Sequence, residues 1–177
     1  AVEGYKVVVV SSGDPGVYGM AGLVIELANK VAEEKRPPVH IVPGLSAVNM
    51  AAAVLGAPLM HDFAVISLSD LMTPWDLIKK RAALCAEGDM VIALYNPRSK
   101  KRVTHLDEVR ELVLQHRDPK TPVGIVQKAG RAGQHIIISD LEHFHKEEID
   151  MQTLVIIGNS QTYVENGKII TPRGYKL

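Results

Sequence analysis

The sequence is poor in cysteine: Cys85 is the only one among 177 residues. A single thiol cannot form an internal disulfide or a cysteine-rich zinc site, so we expect a reducing, cytoplasmic setting. Net charge is also missing, because 20 Lys and Arg balance 20 Asp and Glu. A neutral chain has no overall attraction to nucleic acid or to an acidic membrane, so any anion binding has to be local.

Long apolar runs are absent as well. The longest, residues 47–59, is interrupted by Asn49, Gly56 and Pro58, and it is shorter than the roughly 20 residues that cross a bilayer. The first residues also lack the charged, apolar and small-residue order of a signal peptide. Hydrophobic residues nevertheless make up 46% of the chain, which is enough for a buried core. The sequence predicts a folded protein without a membrane span.

Residues 1–60 are predicted to form two strand–helix units. A β-branched run at 6–10 is typical of a strand covered on both faces by helices, and Asp14-Pro15 after it is typical of a helix start. That helix is expected to continue to about residue 36. A second strand at 39–42 leads into a helix at 47–55, which is apolar nearly all round and therefore expected to be covered on more than one side.

Residues 61–177 are predicted to form a second α/β domain, because the pattern restarts with a new strand after residue 60. Helices are expected at about 75–86 and 105–116, with Thr73 and Thr104 as caps and Gly88 at the end of the first helix. A hairpin is expected at Asn166-Gly167, so the sheet should be mixed. The expected strands are 64–68, 90–95, 123–127, 135–139 and 153–158.

Two strands are few for a doubly wound parallel domain. We therefore expect residues 1–60 to be the C-terminal part of an N-terminal α/β domain. Its sheet would be completed either by another chain or by residues that precede Ala1.

Three strand-to-helix corners are candidate binding sites, because backbone N–H groups and the helix dipole converge there. They lie at residues 12–16, 42–47 and 95–99. Their glycines match neither the dinucleotide fingerprint nor a P-loop. From the residues alone, Asp14 fits a helix cap as well as a ligand contact, and Ser46 and Ala47 fit close packing better than binding.

Taken together, the motifs resemble a known family. The stretches SGDPGVYGMA, VPGLSAVNMAAAVLGAPL, LSDLMTPWDLIKKR, ALYNPRSKKR, GIVQKAGR and TLVIIGNSQTYV resemble, in this order, the tetrapyrrole methylases, which use S-adenosylmethionine. The resemblance implies two α/β domains with the cofactor bound between them. Residues 68–81 and 93–102 are similar to the branch of cobalamin biosynthesis that methylates carbon 17 of precorrin-3B or cobalt-precorrin-3, with ring contraction.

The resemblance also implies which residues bind the cofactor and its product, S-adenosylhomocysteine. It assigns no catalytic acid or base to this chain. It places the family's first strand and glycine-rich loop upstream of Ala1, so we expect the chain to be a fragment or the tail of a longer polypeptide. The implied contacts are Ser12, Gly13, Asp14 and Val17 in the first corner, Ser46 and Ala47 in the second, and the backbone of Asn96 and Ala129 around the adenine.

The basic cluster at residues 98–102 has two interpretations. Arg98 is a candidate for the carboxylate arms of a tetrapyrrole, since a forked guanidinium suits carboxylates, although a solvated loop is the simpler explanation. Nucleic acid is not expected, because the cluster is short and lacks aromatic residues.

Other polar residues support no further site. His135, His143 and His145 lack the arrangement of a zinc site, so no metal is expected. His61 at the domain joint fits a hinge hydrogen bond better than a cleft residue. Cys85 is expected to be buried and inert.

Alternative functions follow from the same residues. The chain could belong to another tetrapyrrole methylase or to a diphthine-synthase-like methyltransferase acting on a protein. A catalytically inactive fragment that only binds or dimerises is a third possibility. Exposed strand edges in an incomplete first domain favour a homodimer.

Overall fold

The computed structural model describes residues 1–175 and divides the chain into two compact units, Ala1–Asn49 and Met50–Leu177. The division falls within a helix, Ala47–Leu55. A division by compactness does not test where one folded domain ends and the next begins. The predicted domain boundary after residue 60 therefore stays a prediction. Residues 176 and 177, at the end of the predicted second domain, lie outside the described part.

The first unit contains helix α1, Ala21–Asn29, a 3₁₀ turn, Glu33–Lys35, and the start of helix α2, Ala47–Leu55. Helix α1 does not begin at Asp14-Pro15 as predicted. Its N-cap is Met20, which makes no side-chain capping bond, and turns and bends occupy the preceding residues. The helix also ends before the predicted residue 36, where the chain continues into the 3₁₀ turn.

The predicted strands at 6–10 and 39–42 are wrong. Neither segment has regular secondary structure, and neither pairs with a strand among residues 1–175. Val8 and Val10 are 82% and 88% exposed, the opposite of a strand covered on both faces. A strand forms only where a neighbour satisfies its N–H and C=O groups. The parallel pairing expected in the first domain is therefore not observed in residues 1–49.

The second unit contains a mixed sheet of five strands: β2 Phe63–Ser67, β3 Val91–Tyr95, β4 Pro122–Gln127, β5 His135–Asp140 and β6 Thr153–Ile157. Their order in the sheet is β2-β3-β6-β4-β5. Strands β2 and β3 are parallel, while β6 runs antiparallel to both β3 and β4, and β5 runs antiparallel to β4. The predicted bounds differ from the observed ones by at most one residue, and the predicted mixed sheet is confirmed.

Two helices build the core of this unit with the sheet: α3, Trp75–Glu87, and α4, His105–Leu114. Their buried faces pack with the central strands in one apolar cluster. Burial of such side chains contributes about 1.5–3 kcal/mol each relative to exposure. Members without solvent exposure include Ala82, Leu94, Val109, Val113, Ile125 and Phe144. None of the helices in the described chain is long and apolar enough to span a membrane.

The predicted helix ends are only partly confirmed. Gly88 ends α3, and its N–H donates to Leu84 O. The N-cap of α3 is Pro74 rather than Thr73. Thr104 does precede α4, but its hydroxyl donates to Glu108 Oε1 instead of accepting a backbone N–H.

A small second sheet links helix α2 to the C-terminal hairpin. Its order is β1-β8-β7, with β1 at Gly56–Ala57, β7 at Tyr163–Glu165 and β8 at Lys168–Ile170. The predicted hairpin is confirmed: Asn166 and Gly167 have φ of +48° and +71°, as a type I′ turn requires.

Helix α2 is exposed on one face only. Val48, Ala51 and Leu55 are buried, whereas Asn49 and Ala53 on the other side are exposed. The remaining residues of the helix are half-buried, so burial extends beyond the fully buried stripe, and the face of Asn49 and Ala53 is its exposed side.

Candidate functional site

In the first unit, Asp14 ties together two of the predicted corners. Its Oδ1 accepts the N–H of Gly16 at 2.7 Å, and its Oδ2 accepts the N–H of Gly44 at 2.9 Å. The carboxylate therefore joins the loop after residue 10 to the loop after residue 42. Sequence reasoning expected this side chain to be a helix cap or a ligand contact, and the cap is wrong because α1 begins at Ala21.

Glycine is required where these loops meet. A Cβ on Gly44 would lie 2.2 Å from the carbonyl oxygen of Gly13, which no side chain can tolerate. Gly13 itself has φ of +76°, in the left-handed region that glycine adopts without strain. The sequence suggested a corner at Gly44 but not its role, since the partner loop is distant along the chain.

Electrostatics keep the Asp14 carboxyl ionised. Hydrogen bonds from the N–H groups of Gly44 and Gly16 lower its pKa, and they outweigh the opposing effect of partial burial. A carboxylate has about four acceptor positions, so two accepted bonds leave room for a ligand hydroxyl or ammonium.

The other predicted contacts of this unit differ in accessibility. Ser12, Gly13 and Val17 are exposed, and Ala47 is half-buried. Ser46, by contrast, is only 6% exposed. The accessible contacts therefore cluster in the loop that carries Asp14.

In the second unit, Asn96 and Ala129 lie at one edge of the large sheet. Strand β6 lies between β3 and β4 and runs antiparallel to both, so β3 and β4 end at the same edge. A strand spacing of about 4.8 Å sets these two ends roughly 10 Å apart. Among residues 1–175, the N–H of Asn96 and both backbone groups of Ala129 have no hydrogen-bond partner. Free N–H and C=O groups at the same end of the sheet can form hydrogen bonds with the polar atoms of a purine ring.

The side chain of Asn96 holds its own backbone in an unusual conformation. Its φ is +52°, which Asn adopts more readily than most residues. The Nδ2 donates to Ser67 Oγ at 2.9 Å, and the same hydroxyl accepts the N–H of Ser69 at 3.2 Å. Ser67 thus fixes the end of β3 from the neighbouring strand, a role that sequence reasoning missed.

Arg98, the predicted substrate contact, already has partners within the chain. It donates to Asp107 Oδ1 at 3.4 Å and to the carbonyl oxygen of His145 at 3.5 Å, while its buried Nε lacks a partner. Burial and the charge of Arg110 lower the pKa of His145. Asp107 offsets part of the positive charge of the Arg98 side chain. Contact between Arg98 and a substrate carboxylate stays a prediction.

Arg102 is a structural residue that sequence reasoning grouped with the basic cluster. Its side chain is 12% exposed. Its Nη1 donates to the carbonyl oxygens of Leu68 at 2.7 Å and Asn96 at 3.4 Å, and Nη2 contacts Met151 Sδ at 3.2 Å. The guanidinium therefore connects the ends of β2 and β3. No feature of the sequence distinguished it from the other basic residues beside it.

A cleft of about 420 Å³ lies at the opposite end of the strands of the large sheet. None of the predicted cofactor contacts lines it. In open α/β sheets, ligands bind beyond the carboxyl ends of parallel strands, whereas this cleft faces the amino ends of β2 and β3. It is lined by His61, Asp62, Phe63, Gly88, Asp89, Met90, Asn159 and Gln161.

Interactions beside this cleft are structural. Asp89 accepts bonds from the N–H and hydroxyl of Ser160 and pairs with Arg117 at 2.7 Å. Arg117 also donates to the carbonyl oxygens of Ala86 and Met90. His61 Nδ1 accepts the N–H of Asp62 at 2.8 Å. Within residues 1–175, no group of three His, Cys, Asp or Glu side chains could hold a metal ion.

Solved structures identify the fold as that of tetrapyrrole methyltransferases. The structure of the methyltransferase CobJ matches with a TM-score of 0.90 at 38% identity, over 96% of this chain and 71% of that one. Uroporphyrin-III-C-methyltransferase from Thermus thermophilus matches with a TM-score of 0.58 at 25% identity, over 82% of this chain and 60% of that one. The predicted α/β fold class is confirmed.

The chain belongs to the tetrapyrrole (corrin/porphyrin) methylases, whose family profile matches residues 1–145. The resemblance found in the sequence is thereby confirmed. The probable cobalt-factor III C(17)-methyltransferase of Salmonella typhimurium is 49% identical over 100% of this chain and 73% of its own length. The cobalt-factor III methyltransferase of Priestia megaterium is 46% identical over 99% of this chain.

Several relatives are much longer than this chain. It covers 33% of the Priestia megaterium protein. It covers 48% of the probable cobalt-factor III C(17)-methyltransferase of Methanothermobacter thermautotrophicus, to which it is 47% identical. The chain thus spans between a third and three quarters of the curated relatives named here.

Proposed function

We propose that this chain takes part in S-adenosylmethionine-dependent methylation of a tetrapyrrole at carbon 17, with ring contraction, in cobalamin biosynthesis. The observation that supports this most directly is the 49% identity, over all of the chain, to a relative named as a probable cobalt-factor III C(17)-methyltransferase. The sequence left open whether the acceptor is precorrin-3B or cobalt-precorrin-3. Relatives named for cobalt-factor III favour an acceptor that already holds cobalt.

The proposed cofactor contacts are those that the sequence resemblance implied. In the first unit, the ionised Asp14 suits a ligand hydroxyl or ammonium, and the exposed backbone of Ser12 and Gly13 permits close approach. Val17, Ser46 and Ala47 complete that set. In the second unit, the free N–H of Asn96 and the free backbone groups of Ala129 suit the polar atoms of the adenine ring.

When bound, the cofactor supplies an electrophilic methyl group whose bond to sulfur breaks as a bond to the ring carbon forms. The residues of this chain would bind and orient both reactants. Such positioning lowers a barrier by about 7–11 kcal/mol when the geometry is ideal.

Calorimetry and a transfer assay test this proposal separately. S-adenosylhomocysteine titrated into the purified chain should bind with micromolar affinity. The chain should then transfer label from methyl-labelled S-adenosylmethionine to cobalt-factor III. Transfer only to another tetrapyrrole or to a protein would support the alternative methyltransferases. An absence of binding heat would contradict the proposal and support a catalytically inactive fragment.

We further propose a cytoplasmic homodimer. The lone cysteine supports the location. The exposed valines at residues 7–10 support association, because unpaired apolar backbone is readily covered by a second chain. Sedimentation velocity at several concentrations tests the dimer, and a concentration-independent monomer would contradict it.

A further inference from the structure

Two neighbouring loops lie at the same end of the large sheet as Asn96 and Ala129. They carry exposed apolar and basic side chains that are not among the proposed cofactor contacts. They follow β2 and β3, which are adjacent and parallel, so both begin at the same edge. We name residues 69–74 the β2 loop and residues 97–104 the β3 loop.

The β3 loop presents two lysines at its tip. Ser99 donates its N–H to the carbonyl oxygen of Arg102 at 3.1 Å, and its Oγ accepts the N–H of Arg102 at 3.1 Å. These bonds close a turn whose central residues are Lys100 and Lys101. Both lysines are exposed, and no acidic side chain in residues 1–175 pairs with them. The basic cluster therefore divides into two inward arginines and two outward lysines.

The β2 loop presents two apolar side chains at its tip. Leu71 and Met72 are 85% and 96% exposed. The preceding Asp70 is anchored, because His105 Nε2 lies 3.2 Å from its Oδ2 and Arg102 Nε lies 3.9 Å from its Oδ1. The exposed pair thus projects from a fixed base.

Arg102 joins the two loops directly. Besides approaching Asp70, it donates to Leu68 O before the β2 loop and closes the Ser99 turn of the β3 loop. The guanidinium of Arg102 therefore fixes the base of the apolar tip, and the backbone of the same residue closes the turn of the cationic tip. The two tips lie together at the end of the strands that carries the free N–H of Asn96.

We propose that these tips bind the tetrapyrrole substrate, with Leu71 and Met72 against a face of the macrocycle and Lys100 and Lys101 on its carboxylate arms. This inference rests on the proposed function and names residues for its acceptor. A ring with acetate and propionate arms has both an apolar face and peripheral negative charge. Methionine suits such a face, because its flexible, polarizable thioether packs well on aromatic rings.

The test uses uroporphyrin as the probe and measures its binding to the whole chain by fluorescence, alongside calorimetry with S-adenosylhomocysteine. The double variant Lys100→Gln/Lys101→Gln should bind uroporphyrin about three- to tenfold more weakly, since exposed ion pairs contribute modestly. Its binding should also depend less on salt than that of the unmodified chain. The affinity for S-adenosylhomocysteine should be unchanged.

A matched control is Lys120→Gln, which removes an exposed lysine just before β4, at the opposite edge. It should leave uroporphyrin binding unchanged. The double variant Leu71→Ser/Met72→Ser should weaken that binding about tenfold through lost apolar contact. Because both side chains are exposed, this variant should keep the denaturation midpoint of the unmodified chain.

Several outcomes would overturn the inference. One is an unmodified chain that binds S-adenosylhomocysteine but not uroporphyrin. Another is an equal loss in the Lys100/Lys101 and Lys120 variants. A third is lysine-dependent binding to phosphatidylserine vesicles without uroporphyrin binding, which would assign the tips to a membrane surface. Failure to bind S-adenosylhomocysteine, in contrast, would count against the proposed function and leave the uroporphyrin result to decide the loops.

Discussion

Similar β-branched sequences behave differently in the two units. Residues 7–10 are four consecutive valines that lie exposed without a strand partner, whereas β6, with the similar sequence Thr153–Ile157, is buried along its whole length. Strand β6 lies between β3 and β4, which satisfy its backbone on both sides. The difference shows that pairing, rather than composition, decides whether such a run becomes a buried strand.

The units also differ in what organises them. In residues 50–175, helices α3 and α4 pack with the strands in a single apolar cluster. In residues 1–49, the best-defined contacts are polar and local to the loops, through Asp14 and the close approach of Gly44 to Gly13. We therefore expect core substitutions to affect stability and loop substitutions to affect binding.

The largest expected effect is that of Leu94→Ala in β3, a fully buried position. The cavity should lower the free energy of unfolding by about 2–5 kcal/mol. Val8→Ala is the matched change in the first unit, where the side chain is 82% exposed, and it should stay within about 0.5 kcal/mol. Urea denaturation measures both. A cost of more than 1 kcal/mol for Val8→Ala would show that residues 7–10 are buried in solution.

The next effect is expected from a buried cation. Arg117→Met removes the bonds to the carbonyl oxygens of Ala86 and Met90 and the ion pair with Asp89. Because Ala86 O still accepts the N–H of Asp89, the loss of about 1–3 kcal/mol should come from the missing donor at Met90 O and the missing cation beside Asp89. Arg36→Met is the control in the first unit, since that exposed arginine makes one long bond to Val31 O. Denaturation should show little change for the control. If both variants lost the same free energy of unfolding, burial would not explain the contribution of Arg117 to stability.

Most of the second unit could be predicted from its sequence. Its strands are short β-branched runs between clear turn residues, and every one has a neighbour in the same unit, so local patterns match the global fold. The first unit departs from its pattern at residues 6–10 and 39–42. Periodicity and propensity describe a segment, but a sheet also needs a partner, which no local pattern contains.

The sequence indicated which residues form the candidate site better than it indicated what each residue does there. The G-D-P and P-G-x-S corners indicated Asp14 and the loop of Gly44, but only the structure shows that one carboxylate bonds both loops. The basic cluster indicated anion binding, yet the sequence could not show that Arg98 and Arg102 point inward while Lys100 and Lys101 point outward. That division depends on distant partners: Leu68 and Asn96 hold Arg102, and Asp107 and the carbonyl oxygen of His145 hold Arg98.

A smaller effect, on binding rather than folding, is expected from Gly44→Ala. The added Cβ would overlap the carbonyl oxygen of Gly13, so the two loops must separate and the proposed cofactor contacts around Asp14 must shift. We expect about a tenfold loss of affinity for S-adenosylhomocysteine by calorimetry, which corresponds to about 1.4 kcal/mol. Gly22→Ala in α1 is the control, because a Cβ there meets no atom within 4 Å. Equal affinity in both variants would contradict the assignment of these loops to the cofactor.

The smallest effect concerns the ionisation of Asp14. The Gly44 and Gly16 N–H bonds lower its pKa from the ordinary 3.8, so these bonds stabilise the loops above that pH and lose their effect as the pH falls through the lower, folded-state pKa. A carbon-13 titration of this carboxyl should therefore have a midpoint below 3.8. The amide shift of Gly44 should follow the same midpoint, while that of Gly22, which has no contact with the carboxylate, should not. A midpoint above 3.8, or a Gly44 amide that does not respond, would mean that the two loops are not joined in solution, and the first unit would then lack the polar tie that distinguishes it from the second.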